Sequence, residues 1–281
     1  MKKENYNCSN IILTGFTNAG KSTLLNCIFK KKVSIVSSKV QTTKDKISGI
    51  LNIKNTQLIF TDTPGLTNNQ KFFDKNISRT LLHEEKKIDF NLFILDISKV
   101  INLETINKIL KVVDLFENNY LVLNKIDLIK KNNLLAASKL INSKIKFLGT
   151  FMISAKKKKG IKYLIDQLSL SAPRKSWKYN KNIKIDKSIN FQVSEITREK
   201  IFQLLNKEIP YLIKIKTKLE EKQKLVKIFQ EIIVSKDSQK SIIIGKNAEK
   251  IKMIGTRSRV DIEKLFKKKV FLDLIVKKKK D

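Results

Sequence analysis

The chain has 281 residues, 41% of them hydrophobic, and a formal net charge of +33. That length and apolar content suit about two domains with real cores and exclude a disordered chain. Its two cysteines, Cys8 and Cys27, exclude a disulfide framework, and no apolar run is long enough to span a bilayer. The N-terminus runs through Lys2, Lys3 and Glu4 to Ile11 without an apolar stretch of the signal-peptide kind, so the expectation is a soluble, cytoplasmic protein. The charge has two readings. Lysines bind phosphate and release counterions, which points to a polyanion partner, RNA or an anionic lipid surface. Lysine, asparagine and isoleucine are all abundant, however, which is the bias of an AT-rich genome. The charge therefore permits a nucleic-acid partner without locating it.

Asn10 to Thr14 forms a short apolar run, a buried strand that leads into Gly15-Phe16-Thr17-Asn18-Ala19-Gly20-Lys21-Ser22 and a helix over 21–30. A Gly-x-x-x-x-Gly-Lys-Ser segment between a strand and a helix is built to cradle phosphates. Gly15, Asn18, Ala19 and Gly20 turn backbone amides inward, and the helix N-terminus adds partial positive charge. Lys21 reaches phosphate oxygens, Ser22 offers its hydroxyl to magnesium, and Thr23 is placed for the α-phosphate. A second strand, Gln57 to Thr61, ends in Asp62-Thr63-Pro64-Gly65. Asp62 there can hold magnesium through water, and the Gly65 amide can meet a γ-phosphate and be released when it leaves. Taken alone, Asp-Thr-Pro-Gly is an ordinary turn; its place after the phosphate loop gives it meaning.

Phe90 to Ile97 and Tyr120 to Leu123 are further apolar runs, and Asn124-Lys125-Ile126-Asp127 closes the second. The Asp127 carboxylate can accept from N1–H and the exocyclic amine of guanine, a donor pair that adenine lacks. Asn124 would bond the N7 side and brace the phosphate loop, and the Lys125 stem would lie along the base. Ser154-Ala155-Lys156 follows Phe151-Met152-Ile153, with the Ala155 amide aimed at guanine O6 and Ser154 beside it. Helices are expected near 21–30, 72–86, 102–116, 132–142 and 160–170. Alternation of strands and helices predicts an α/β fold, a mostly parallel sheet with helices on both faces and the motifs at the strand carboxyl ends.

With these three motifs in place, the chain resembles the Era family of bacterial GTPases over almost its whole length. The resemblance implies that Val40-Gln41-Thr42-Thr43-Lys44 is switch I, with Thr43, ahead of Thr42, completing the magnesium shell. Leu66 stands where Ras-like switches carry a water-positioning glutamine, so intrinsic hydrolysis of GTP should be slow. Asn18 matches an asparagine that helps related GTPases hold a potassium ion beside the phosphates. Thr17 and Ala19 stand where the family usually has proline and often has valine.

Ser169 to Lys187 carries Pro173, many charges and no steady periodicity, and is expected to link the two domains, with Trp177 packed between them. Beyond it, Val193 to Asn206 has helical spacing, Tyr211 to Thr217 alternates as a strand, and Lys224 to Val234 and Lys240 to Ile244 suggest further strands. Helices over 248–255 and 257–267 and a closing strand, Val270 to Val276, complete the pattern. This order resembles a type II KH domain, whose Gly-x-x-Gly loop clamps about four nucleotides of single-stranded backbone. The matching segment is Gly245-Lys246-Asn247-Ala248, expected at a strand-to-helix turn, with Lys250 and Lys252 extending the contact. Ala248 replaces the second glycine. His83, Glu84-Glu85 and Glu220-Glu221 are expected at the surface, and Lys277 to Lys280 as a solvated tail.

The expected organisation is a GTPase domain over 1–170, a linker over 171–187 and a smaller α+β KH domain over 188–281. The resemblance implies a monomeric, magnesium-dependent GTPase that binds the 3′ end of small-subunit ribosomal RNA and serves small-subunit maturation. It leaves peripheral membrane contact open. Two rivals are weighed against it. A tRNA-modification GTPase needs an inserted helical domain or a terminal catalytic cysteine, and neither is visible. A pure RNA-binding protein with a dead nucleotide site conflicts with the intact Lys21, Ser22, Asp62 and Asp127.

Overall fold

The computed structural model describes residues 6–29, 47–63, 66, 88–205 and 213–279. Thr42, Thr43, Gly65, His83, Glu84-Glu85 and the helix expected over 72–86 lie outside them. The described residues up to Asp186 form one compact unit and those from Lys187 a second.

The first unit is a six-stranded sheet in the order β2-β3-β1-β4-β5-β6. Its strands are β1 (Asn7–Gly15), β2 (Ile47–Ile53), β3 (Thr56–Asp62), β4 (Phe90–Asp96), β5 (Asn119–Asn124) and β6 (Gly149–Met152). All neighbours are parallel except β2, which runs antiparallel to β3 at one edge. Helices α1 (Lys21–Phe29), α2 (Leu103–Val113), α3 (Lys131–Lys144) and α4 (Ile161–Ser171) follow β1, β4, β5 and β6.

Parallel strands covered on both faces are near-continuous apolar runs, and every residue of β4 and β5 is buried. Phe60 and Phe93 are sealed completely, and each such side chain contributes about 2 kcal/mol by leaving water. On α2, Asn102 caps the first turn by accepting from the Thr105 amide at 2.9 Å, and Ile106, Ile109, Val112 and Val113 bury one stripe.

Strand β2 was not expected from the sequence. Its run Ile-Ser-Gly-Ile-Leu-Asn-Ile has a glycine at its third position and no clean alternation, and its strand character comes from seven paired positions on β3.

The stretch before the second unit is pinned to the first. Pro173 O accepts from Cys8 N, Gln57 bonds the backbone of Lys178 and Tyr179, and Asn52 bonds Lys181 O. Lys184 O accepts from Ile50 N at 2.9 Å, and Asp186 closes a ring with Ser48, accepting at 2.8 Å and donating at 3.0 Å. Trp177 packs on Cys8, Ile50 and Ile59 of the first unit and donates to Asn55 O. Burial raises the thiol pKa of Cys8 and of Cys27.

The second unit runs α5 (Ile189–Leu204), β7 (Lys214–Glu221), β8 (Leu225–Val234), α6 (Asp237–Ile244), α7 (Glu249–Phe266) and β9 (Lys269–Lys278). Its sheet has the order β7-β8-β9, with β8 antiparallel to β7 and parallel to β9. The inward positions of β8 and β9 meet Ile201, Ile243 and Ile254 at one end and Val193, Ile196 and Ile262 at the other. A buried polar ladder from Thr197 through Gln230 to Thr217, with bonds of 2.6 and 3.0 Å, ties α5 to the sheet.

Two expectations fail here. Residues 240–244 belong to a helix, not a strand. The Gln239 side chain accepts from the amides of Ser235 and Lys236, which starts α6, and Ile243 is buried while Ile242 is exposed. The β-branched run misled because packing and a cap outweigh intrinsic propensity. The two helices expected over 248–255 and 257–267 are a single helix, α7. Gly255 costs such a helix only about 1 kcal/mol, which the burial of Ile254 and Ile262 offsets.

Candidate nucleotide pocket and RNA-binding loop

The carboxyl ends of β1, β3, β5 and β6 bring the sequence motifs together. The loop after β1 is already curled around its lysine. Lys21 Nζ donates to Gly15 O at 3.0 Å and to Phe16 O at 2.9 Å, and its side chain is buried. Burial pushes its pKa down to about 8, with Asp62 opposing the shift. Ser22 Oγ donates to Asp62 Oδ2 at 2.7 Å. These two oxygens are the hard donors a magnesium ion takes alongside water and phosphate. Thr23 sits half-buried in the first turn of α1, and Asn18 is exposed with a left-handed backbone, φ 63°.

Asn124 is the keystone of this region. Its Nδ2 donates to Ala19 O at 2.8 Å and its Oδ1 accepts from Ala155 N at 3.0 Å. One buried amide therefore bolts the phosphate loop to the loop after β6. Gly20 must be glycine, because φ is +98° and a Cβ would stand 2.3 Å from Asn124 Nδ2. The expected brace is present, and the Ala155 amide is its partner on the base-side loop.

Asp127 is exposed in a one-turn helix, Ile126–Leu128. A hydrogen bond with the Ser154 side chain and the charges of Lys157 and Lys156 hold its carboxyl below the usual carboxylate range. Ser154 itself is buried. Lys125 takes a left-handed backbone, φ 66°, and its ammonium meets Asp96 Oδ2 at 2.6 Å. Burial alone would raise the Asp96 pKa, but hydrogen bonds from Lys125 and Ser98 outweigh it and the carboxyl stays below its ordinary range. Asp96 was missed in the sequence because nothing local to β4 announces a partner on β5.

Leu66 is buried against Ile12 and Phe93, its amide donates to Gly15 O at 3.1 Å, and its carbonyl accepts from Thr17 N at 2.8 Å. Its side chain belongs to the core and has no means of aligning water. Among the expected site residues, Gly15, Asn18, Ala19, Gly20, Lys21, Ser22, Thr23, Asp62, Asn124, Lys125, Asp127, Ser154 and Ala155 share this end of the sheet.

In the second unit, Gly245-Lys246-Asn247-Ala248 joins α6 to α7, so the turn is helix-to-helix, not strand-to-helix as expected. Gly245 has φ +76° and ψ 172°, open to glycine and to little else. Asn247 and Ala248 are also left-handed, φ 50° and 60°. A left-handed alanine costs about 1 kcal/mol, so the departure from the second glycine strains the turn without changing its path. Lys246, Lys250 and Lys252 are exposed and favour phosphate; no side chain caps α7, whose Glu249 amide donates to Lys246 O, and Glu249 is the one opposing charge in that turn.

Beside the turn lies a groove of about 310 Å3 lined by Ile251, Lys252, Gly255, Thr256, Arg259, Leu272 and Leu274. Arg259 was missed because the sequence reading broke the helix at Gly255. On one continuous helix Lys252 and Arg259, seven apart, share a face.

Comparisons with known proteins agree with this architecture. A family model described as 50S ribosome-binding GTPase matches residues 10–125, and one described as KH domain matches residues 208–281. The chain is 37% identical over 289 residues to the GTPase Era of Syntrophus aciditrophicus, covering 100% of this chain and 94% of that protein. It is 39% identical over 271 residues to the GTPase Era of Agrobacterium fabrum, covering 95% and 85%. Among solved structures, Era in complex with MgGDPNP and nucleotides 1506–1542 of 16S ribosomal RNA matches with a TM-score of 0.86 at 30% identity, over 98% of this chain and 95% of that one. A variant of Aquifex aeolicus Era bound to GDP and AlF4− gives 0.87 at 29% identity over the same shares.

Proposed function

The chain belongs to the Era family of GTPases, and from that premise we propose that it is a GTP-driven switch that holds the 3′ end of 16S ribosomal RNA during assembly and maturation of the small ribosomal subunit. The observation that carries the reading is the Asn124 bridge. It locks the phosphate loop and the base-side loops into one pocket, with the Ser22–Asp62 pair at its metal end. The solved relative with a GTP analogue, magnesium and ribosomal RNA supports the choice of ligands.

In this reading Gly15, Asn18, Ala19, Gly20, Lys21, Thr23 and Gly65 hold the phosphates. Asn124, Lys125, Asp127, Ser154 and Ala155 surround guanine. Ser22, Asp62 and Thr43 would hold magnesium, whose charge offsets that developing on the transferred phosphoryl group. Lys21 and the loop amides orient the triphosphate, and water is the nucleophile. With Leu66 committed to the core, intrinsic turnover is slow. Residues 1–170 act as the switch and 188–281 as the RNA holder, through Gly245, Lys246, Asn247, Ala248, Lys250 and Lys252. The protein works as a cytoplasmic monomer, with anionic lipid a secondary contact.

Nucleotide competition tests the base-reading assignment. Asp127→Ala should erase the preference for GTP over ATP while keeping the fold; an unchanged preference refutes it. The potassium role of Asn18 predicts faster turnover in potassium than in sodium, and equal rates in the two salts reject it.

A further inference from the structure

The groove beside the Gly245 turn does not stop at α7. Arg259 and Leu272 line it, and the same two residues line a second hollow of about 750 Å3, together with Lys267, Lys268, Lys269 and Phe271. Its acid, Glu263, accepts from Val270 N at 3.3 Å. Successive residues of a strand point to opposite faces, so a hollow lined by both Leu272 and Phe271 wraps around the edge of β9, the last strand of the sheet. It connects the helix side of the second unit to the outer face of its sheet.

That outer face is unusual for a surface. Phe229 on β8 and Phe271 on β9 stand 38% and 51% exposed on adjacent strands, with ring centroids 6.3 Å apart at 62°. Ile275, also exposed, continues the apolar strip along β9. On β7 the outward positions Lys214, Lys216 and Lys218 form an exposed row, spaced by two residues or about 7 Å. The acids on this face are Glu231, which pairs with Lys277, and Glu220 and Asp273. Exposed aromatics on neighbouring strands, bordered by lysines, form a platform on which unpaired bases stack while phosphates meet the cations.

We propose that this outer face, centred on Phe229 and Phe271, is a second contact surface for single-stranded RNA, reached by the strand that leaves the Gly245 groove through the Arg259 and Lys267–Lys269 hollow. The proposal rests on the RNA reading given above. It commits to the same RNA strand as occupant because the hollow is continuous with the groove and the flanking charge suits a polyanion.

The test uses the whole chain and two RNA oligonucleotides: one of about four nucleotides, the span of a KH loop, and one about twice as long. Phe229→Leu with Phe271→Leu keeps the apolar face but removes both rings. The long strand should bind about tenfold more weakly to this variant, the loss of one stacked base, while the short strand binds as before. Lys267→Gln with Lys269→Gln should flatten the salt dependence of the long strand alone by about two phosphate contacts. Unchanged affinity for the long strand, or equal loss for both strands, overturns the proposal. So does sedimentation showing a self-associated chain that the leucine variant disperses, because the face would then belong to a second copy. Lys246→Glu separates the two levels: it should weaken both strands, and if it weakens neither, the RNA reading itself fails.

Discussion

The turn proposed to hold nucleotide and the turn proposed to hold RNA are built by opposite means. The loop around Lys21 is closed by its own hydrogen bonds: the lysine bonds two loop carbonyls and Asn124 clamps the rim from across the sheet. The Gly245 turn is open. Three residues at positive φ, Gly245, Asn247 and Ala248, shape it, its lysines reach into water, and it is closed by Ala248 N donating to Gly245 O at 3.2 Å and Glu249 N donating to Lys246 O. A rigid cradle suits a small ligand whose every oxygen must be met for chemistry. An exposed turn on a helix end suits a polymer gripped by its backbone.

The sharpest way to break this contrast is Lys21→Ala, which should reduce GTP turnover at least about 100-fold, the scale of losing one preorganised donor to the phosphoryl group. Single-turnover hydrolysis reads it out, and near-normal turnover would mean that the cradle is ornamental. The same lysine gives a pH signature. Its pKa in the ligand-free protein is about 8, and bound phosphates must raise it, so binding takes up a proton above that pH. Nucleotide affinity should therefore carry no Lys21 dependence below pH 8 and fall as pH rises through it; fluorescent-nucleotide titration across that region checks the sign.

A smaller effect follows from the clamp. Asn124→Ala leaves Ala19 O and Ala155 N without their partner in a dry site, a loss of about 2 kcal/mol, to be seen as lower thermal stability and weaker nucleotide binding together. The smallest effect belongs to the open turn. Ala248→Gly should stabilise the chain by about 1 kcal/mol by relieving a left-handed alanine, measured by denaturant unfolding. Destabilisation would show that the turn is not strained.

How much of this was legible in the sequence depended on whether the signal was local. The phosphate loop, Asp62 and the Asn124-to-Asp127 segment are short and self-contained, so each motif announced itself and its strand. Strands β1, β4 and β5 were legible because burial on both faces makes them continuous apolar runs. What failed was non-local. Strand β2 owes its conformation to β3, and α6 owes its start to one glutamine side chain behind a run of isoleucines that favours strands. Helix α7 continues through Gly255 because its neighbours are buried. That last error had a functional cost, since it separated Arg259 from Lys252 and hid the groove. The pairing of Lys125 with Asp96 and the bond from the Ala155 amide to Asn124 were equally out of reach, being agreements between residues distant in the chain.

Consider finally the stretch from Pro173 to Asp186, stitched along β2 and β3. On its far side Lys187 O already accepts from Gln192, and Ser188 caps α5. Most of the stretch expected as a linker is therefore built into the first unit, and a truncation meant to isolate that unit must run to Asp186 to keep these bonds.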